Sequence, residues 1–327
     1  MAGIALENYG TYDRANVVRR FGRGDTRFRL LTLAAALLVV AIFLGVLGAL
    51  IDGAWPAIKA FGLPFLWTEK WNPVTEKFGA LAPIYGTLVT SFVAMLIAVP
   101  TGIGIAIFLT EICPNALKRP ISIAIELLAG IPSIIYGIWG LFVFAPFLQS
   151  TIQPWLIDTF ANVPVLSTLF EGPPYGIGVL TAALILSIMI LPFISAVTRD
   201  VFETVPPMLK EAAYGLGCTR WEVMWHVVLP YSRTGVVGGG MLALGRALGE
   251  TMAITFVIGN AHRISSSLLA PGTTISAAIA NEFTEALGDL YVPSLIELGL
   301  ILFFITFLVL AAAQLMLRRL EASGGKK

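Results

Sequence analysis

Arg246 and Glu250 are the two charged residues in an otherwise apolar run, 235–258. Four residues apart, they would lie on one face of a helix and could pair. At about 1.5 Å per residue, Arg246 would lie roughly 16 Å deep in a membrane span, where a cation costs about 2.5 to 3.5 kcal/mol and needs a partner or a watery path. The forked guanidinium suits an oxyanion such as phosphate. The alternative is a buried ion pair that locks two helices.

Other chemistry-bearing patterns are missing from the sequence. The phosphate-binding motif Gly-x-x-x-x-Gly-Lys-[Ser/Thr] does not occur, and the only Gly-Lys step is at Gly325. His226 and His262 are predicted on opposite sides of a membrane, which argues against a metal cluster or a His-based triad. Cys113 and Cys218 are predicted to be free cytoplasmic thiols. We therefore predict no catalytic residue, no metal site and no cofactor in this chain.

The composition predicts a membrane protein. Hydrophobic residues make up 57% of the chain and charged residues 13%, which excludes a soluble globule. The net charge of +1 gives no basic excess for nucleic acid.

Apolar runs of about 20 residues predict six helical spans. They cover 30–51, 81–109, 121–148, 177–197, 235–258 and 293–317. Prolines at 100, 132 and 146 predict kinks in the second and third spans, and glycines at 235, 239, 245 and 249 predict close helix packing in the fifth. The fold class is therefore an all-α membrane protein with both termini on one side.

The lysines and arginines predict that this side is the cytoplasm. They concentrate before the first span, in the inner loops and in the tail, whereas the opposite side holds only Lys59, Lys70, Lys77 and Arg263. The predicted organisation is a cytoplasmic segment 1–29, a first span 30–51, an outer interfacial loop 52–80, a five-span core 81–317 with an inner loop 199–233, and a cytoplasmic tail 318–327.

The inner loop predicts a helix, a glycine turn and a second helix. Pro206 and Pro207 can begin a helix through Glu211, Ala212 and Ala213, which Gly215 and Gly217 can end. Thr219 and Glu222 form a capping-box pattern for the second helix, which we expect to end at Leu229-Pro230.

The spacing Glu211-Ala212-Ala213, Gly217 and Val227-x-Leu229-Pro230 resembles the EAA loop of ABC importer permeases. The departure from that pattern is Val227, where the family usually has isoleucine. In the family this loop docks on a separate ATP-binding subunit, so the resemblance implies an ATPase-coupling role for Glu211, Ala212, Ala213, Gly217, Leu229 and Pro230.

The segment Leu244–Ala253, LGRALGETMA, resembles the fifth-span signature of phosphate importer permeases of the PstC type. Trp71-Asn72-Pro73, Gly130-Ile131-Pro132-Ser133 and Ala280-Asn281-Glu282-Phe283 resemble the same family. The resemblance implies the MetI-like fold of type I ABC importers, and a role for Arg246 and Glu250 in the substrate path.

The resemblance also implies partners: a homologous PstA-type permease, a PstB-type ATPase dimer that binds ATP and Mg, and an extracytoplasmic PstS-type phosphate-binding protein, all at a bacterial inner membrane. The chain itself would then be no enzyme. The alternatives are a permease for sulfate, molybdate or phosphonate, an ion-driven secondary transporter, which would not need the inner loop, and a membrane enzyme, for which acid/base and nucleophile candidates are missing.

Overall fold

The part of the chain that the structure describes is mostly helical. The computed structural model gives the backbone of residues 14–324 and the side chains of residues 27–319, so parts of the predicted end segments 1–29 and 318–327 lie outside it. In this range, antiparallel or parallel pairing is confined to the isolated bridges Asn72–Lys77 and Gly259–Gly272. The predicted all-α fold class is confirmed.

The helices of the described range differ widely in length, from 3 to 48 residues. In chain order they are α1 Arg14–Phe61, α2 Leu81–Ile107, α3 Asn115–Ala129, α4 Ser133–Trp139, α5 Ala145–Phe147, α6 Gln153–Phe160, α7 Leu166–Leu169, α8 Val179–Glu203, α9 Pro207–Gly215, α10 Arg220–Val223, α11 Leu229–Leu248, α12 Met252–Thr255, α13 Ile275–Glu282 and α14 Tyr291–Gly324. Wider π-helical turns cover Phe108–Ile112, Gly140–Phe144, Leu148–Ile152 and Met224–Val228.

Among the described residues, 5 helical segments are long and apolar enough to cross a membrane, whereas the sequence predicted six; the predicted fifth span, 235–258, is not among them. They are Arg27–Phe61, Leu81–Ile112, Ser133–Phe160, Val179–Glu203 and Tyr291–Arg319. Many of the side chains exposed on them are large and apolar, such as Leu37, Phe92 and Phe307, as contact with lipid requires. A helix also satisfies its own backbone polar groups in lipid.

The chain divides into two compact units, Met1–Asp52 and Gly53–Lys327. The described part of the first unit is helix α1 alone, whose apolar side chains from Phe28 to Val46 are exposed. The helix does not end at residue 51, as predicted, but continues to Phe61. Asp52 and Gly53 interrupt the apolar run without ending the helix, so the length of the apolar run underestimated the length of the helix.

The core of the second unit is built around α8. Its side chains Ile185, Leu186 and Ile190 are buried against residues of α2, α11 and α12, as expected for a helix that is apolar on all faces. Helix α11 approaches α8 closely, because a Cβ built on Gly239 would lie 2.8 Å from the nearest atom of Val197. The predicted close packing at the glycines is thus observed at this position.

The predicted third span, 121–148, is wrong as a single helix. Helix α3 ends at Ala129, and a new helical segment begins at Ser133 after Pro132. Proline disfavours helical geometry in the preceding residue, so Gly130-Ile131-Pro132 separates two helices instead of kinking one. Helix α3 is not among the spanning candidates and is tied to α8 by ion pairs, including Arg199–Glu126 at 2.9 Å.

The predicted interfacial loop, 52–80, has a packed structure of its own. It begins inside α1, passes through a 3₁₀ turn at Leu63–Leu66, and buries Phe65 and Phe78 against α13 and the start of α14. Lys59, predicted in this loop, lies in the last turn of α1 with its ammonium 5.5 Å from the centre of the Trp55 ring.

Candidate coupling loop and translocation site

The inner loop folds into the predicted helix, glycine turn and helix. Helix α9 runs from Pro207 to Gly215, and Gly217 has a φ of 89°, a left-handed conformation that favours glycine. In this turn the Cys218 N–H donates to the Ala213 carbonyl at 3.1 Å, which satisfies a carbonyl at the end of α9.

The predicted capping box is confirmed at the start of α10. The Glu222 N–H donates to the Thr219 hydroxyl at 3.4 Å, and the Thr219 N–H donates to the Glu222 carboxylate at 2.7 Å. The backbone hydrogen bond from Thr219, with help from its hydroxyl, holds the pKa of Glu222 below its ordinary value. The cap therefore fixes where the second helix begins.

The prediction that Pro230 ends the second helix is wrong. Helical structure continues from α10 through the wide turn Met224–Val228 into α11, which contains Pro230 near its start. Proline lacks an N–H and its ring crowds the carbonyl four residues earlier, but the wider turn bonds the Leu229 N–H to the Met224 carbonyl. The loop is therefore joined rigidly to α11, the helix that carries Arg246.

The residues predicted to couple to an ATPase divide between two faces of the loop. Ala213 is buried against Val223 and Met224, whereas Glu211 and Ala212 are exposed. Gly217 is exposed, Leu229 is partly buried beneath the loop, and Pro230 is exposed. The outward face of α9 and its turn also carries Met208, Leu209 and Leu216, all exposed. The acidic side chain of Glu211 thus lies among exposed apolar side chains.

Arg246 lies in the last turn of α11, and its side chain is exposed. Across residues 27–319, no ion pair or hydrogen bond involves its guanidinium. The expected pairing with Glu250 along one helix face is therefore wrong. Its physical reason is that α11 ends at Leu248, with Gly249 as its cap, so Glu250 is outside the helix.

The predicted fifth span, 235–258, is accordingly interrupted. Glu250 is only 9% exposed, and its backbone carbonyl accepts a 2.6 Å hydrogen bond from the Ser276 hydroxyl of α13. The chain resumes in the short α12 and later enters α13, where the Thr274 hydroxyl caps the helix by accepting from the Ala277 N–H at 3.2 Å. Such helix interruptions leave backbone polar groups available inside a transporter.

A polar network that the sequence did not predict joins the segment 62–80 to α13 and α14. The Glu282 carboxylate accepts hydrogen bonds from Trp71 Nε1 at 2.7 Å and from the Tyr291 hydroxyl at 2.7 Å. His262 Nε2 lies 2.6 Å from the same carboxylate, and the His262 and Trp71 rings are stacked 5.0 Å apart. Burial raises the pKa of Glu282, but these bonds outweigh it, so the pKa is lower than usual. The family resemblance included Trp71 and Glu282 in two separate motifs, and nothing in the sequence near either residue indicates that they form a pair.

Comparisons with known proteins identify the family of this chain. Residues 98–322 match the family described as binding-protein-dependent transport system inner membrane component. The phosphate transport system permease protein PstC of Mesorhizobium japonicum is 67% identical over 312 residues, which cover 95% of each chain. The protein of the same name from Pasteurella multocida is 58% identical, over 92% of this chain and 93% of its own. This chain belongs to the binding-protein-dependent transport permease family.

Solved structures of transport permeases have the same fold. A bacterial alginate ABC transporter, in complex with a periplasmic protein bound to an alginate pentasaccharide, has a TM-score of 0.60 and 19% identity, covering 90% of this chain and 96% of its own. The inward-facing methionine transporter MetNI has a TM-score of 0.53 and 18% identity, covering 74% and 94%. The predicted MetI-like permease fold is confirmed.

Proposed function

We propose that this chain is the transmembrane permease subunit of an ATP-driven phosphate importer. The family is one of inner membrane transport components, and relatives that cover nearly the whole chain are named phosphate transport permeases. The chain would form the translocation path together with a second, PstA-type permease. A PstS-type binding protein would deliver phosphate from outside.

The observation that carries ATP coupling is the exposed surface of α9. Ala213 anchors the helix from beneath, while Glu211, Ala212 and Leu216 remain available to a partner. A short helix with an acidic residue and small neighbours can enter a cleft of a second protein and move with it. We infer that this partner is a PstB-type ATPase dimer, which would bind the ATP and Mg.

This docking would place the loop 199–233 in the cytoplasm and, with α11 as a further span beside the 5 candidates, both termini on the same side. The positive-inside rule supports the same orientation, since Lys210, Arg220 and Arg233 lie in this loop. Movement of the loop would be passed into α11 through the continuous helical segment that begins at Arg220.

The observation that supports an anionic cargo is Arg246. An exposed guanidinium with no partner within the described side chains, on an apolar helix, needs either an anion or a neighbouring subunit to offset its desolvation. We propose that phosphate passes Arg246 when the path opens, and that the nearby interruption at Glu250 gives this part of the path its polar lining.

Uptake by the reconstituted complex tests this function. Proteoliposomes that contain this chain, the second permease, the ATPase and the binding protein should accumulate labelled phosphate only when ATP is present. An excess of sulfate, molybdate or phosphonate should leave the uptake unchanged. If one of these anions is itself taken up and phosphate does not compete with it, the cargo assignment is wrong, although the permease role stands.

A further inference from the structure

An ion pair ties α9 to the end of the candidate span Leu81–Ile112. Lys210 Nζ lies 2.6 Å from Glu111 Oε1, and the side chains of Lys210 and Glu111 are only 20% and 10% exposed. Glu111 belongs to the π-helical turn Phe108–Ile112, which continues α2. The two residues are 99 positions apart, so this contact is a product of the tertiary fold.

The second arm of the loop reaches the same residue. Arg220, at the start of α10, donates from Nη1 to the Glu111 carbonyl at 3.3 Å. Glu111 therefore receives a contact from each helix of the coupling loop, one at its side chain and one at its backbone. The apolar residues beside this junction include Ala106 of α2 and Ala213 of α9, which share one buried cluster.

The apolar cluster and the ion pair differ in how strongly they oppose a shift of α9 relative to α2. Burial of apolar side chains in this shared cluster is non-directional, so it does not by itself fix the position of α9 relative to α2. A short, poorly solvated ion pair is directional, and separating it leaves a charge without compensation. The exposed pair Lys118–Glu203, at 3.2 Å with side chains 35% and 51% exposed, should contribute little by comparison.

Helix α2 is well placed to pass a displacement onward. It packs along α8 and also contacts α11, the helix that carries Arg246. A force applied to the exposed face of α9 can therefore reach the core by two routes, the continuous segment into α11 and the Glu111 contact into α2.

We propose that Glu111 is a positioning residue for energy coupling, which holds α9 to α2 through Lys210 so that both move together when the ATPase subunit moves the loop. The proposal rests on the proposed function, since it assumes a motor at α9. It assigns Glu111 no contact with the cargo. Loss of the Glu111 carboxylate should therefore uncouple ATP hydrolysis from transport without preventing assembly of the complex.

The first test measures phosphate taken up per ATP hydrolysed by the whole complex in proteoliposomes. Glu111→Gln keeps the shape of the side chain and removes its charge, and we expect the ratio to fall by at least about fivefold, as a loss of about 1 kcal/mol from the link would give. Lys210→Met should give the same loss, and it carries the test if Glu111→Gln does not assemble. The exchanged pair, Glu111→Lys with Lys210→Glu, should return toward the wild-type ratio.

The matched control is Glu203→Gln, which removes a carboxylate from an exposed ion pair that does not touch α9. It should leave the ratio unchanged. If Glu111→Gln and Lys210→Met both keep the wild-type ratio, or if Glu203→Gln lowers it equally, the positioning role is overturned.

A second measurement does not depend on the cargo. Cys113 follows the turn that carries Glu111, Cys218 follows α9, and both thiols are free and partly exposed. Spin labels on them, in a complex whose other subunits lack cysteine, report the distance between α2 and the loop. Glu111→Gln should broaden the distance distribution, and Glu203→Gln should not.

The two measurements separate the possible failures. If the wild-type complex does not move phosphate but Glu111→Gln still broadens the distances, the proposed function fails and the link between α9 and α2 stands. If phosphate is transported and the distances are unchanged in Glu111→Gln, the link is wrong and the proposed function stands.

Discussion

Replacement of Gly217 should weaken coupling through the shape of the loop alone. Its φ is 89°, and a Cβ built there meets nothing within 4 Å, so an added methyl group has room. The cost of alanine is therefore conformational, about 1 to 2 kcal/mol for an L-residue in the left-handed region. This energy lowers the population of the native turn by about five- to thirtyfold relative to its alternatives.

Gly217→Pro should be more severe, because proline fixes φ near −65° and cannot adopt the observed turn. It also removes the Gly217 N–H, which donates to the Tyr214 carbonyl at 2.9 Å. We expect Gly217→Pro to insert and assemble but to lose ATP-driven uptake, and Gly217→Ala to keep part of it.

Gly215→Ala is the matched control. Gly215 is the last residue of α9, is equally open to an added Cβ, and has no left-handed φ. Alanine should there stabilise the helix by up to about 1 kcal/mol and leave uptake intact. The assay is phosphate uptake and ATPase rate of the reconstituted complex. Normal uptake by Gly217→Pro, or equal losses for the two alanine variants, would refute the reasoning.

Three further perturbations test other parts of the account. Arg246→Gln should abolish uptake while the complex still co-purifies; normal uptake would remove Arg246 from the path, and lost assembly would indicate a structural ion pair. Glu282→Gln should lower the free energy of unfolding by about 1 to 3 kcal/mol at neutral pH, because a charged acceptor is lost. The pKa of Glu282 is lower in the folded protein than its ordinary value of 4.5, so this carboxylate should contribute less stability as the pH falls below 4.5. Glu282→Gln should lack this pH dependence, and melting curves of the complex at several pH values would check it. Gly239→Ala should destabilise the complex by about 1 to 3 kcal/mol, because the added methyl group clashes with Val197. Gly240→Ala is the control, since a Cβ built there meets nothing within 4 Å. Equal melting temperatures for the two variants would contradict the close packing at Gly239.

Local signals predicted the conformation of the inner loop well. The Thr219–Glu222 capping box and the glycine turn depend on residues three to five positions apart, so the sequence contains the whole interaction. The prediction at Pro230 was wrong because a wide turn before it accommodates the missing N–H, and that choice depends on packing of the loop as a unit.

Apolar runs predicted the long helices but not their interruptions. The run 235–258 remains apolar across the point where α11 ends, so hydropathy could not show that Glu250 leaves the helix. The Gly130-Ile131-Pro132 segment did contain a break signal, which predicted a kink where the structure has two helices.

Long-range pairs were outside the reach of the sequence. Lys210 and Glu111 are 99 positions apart, and Trp71 and Glu282 are 211 positions apart. Taken singly, each of these residues is of a type that is common at a protein surface or a membrane interface. Only the tertiary fold, which brings α9 to the turn after α2 and the segment 62–80 to α13, places the members of each pair together.

Site-specific photo-cross-linking tests most directly the central claim that the loop at α9 meets the ATPase subunit. Leu216 in the loop and Leu287 after α13 are both 86% exposed, which makes them a matched pair for an introduced photoreactive side chain. In the assembled complex, the probe at position 216 should capture the ATPase subunit and the probe at position 287 should not. Capture of the ATPase from position 287, with none from position 216, would contradict the account.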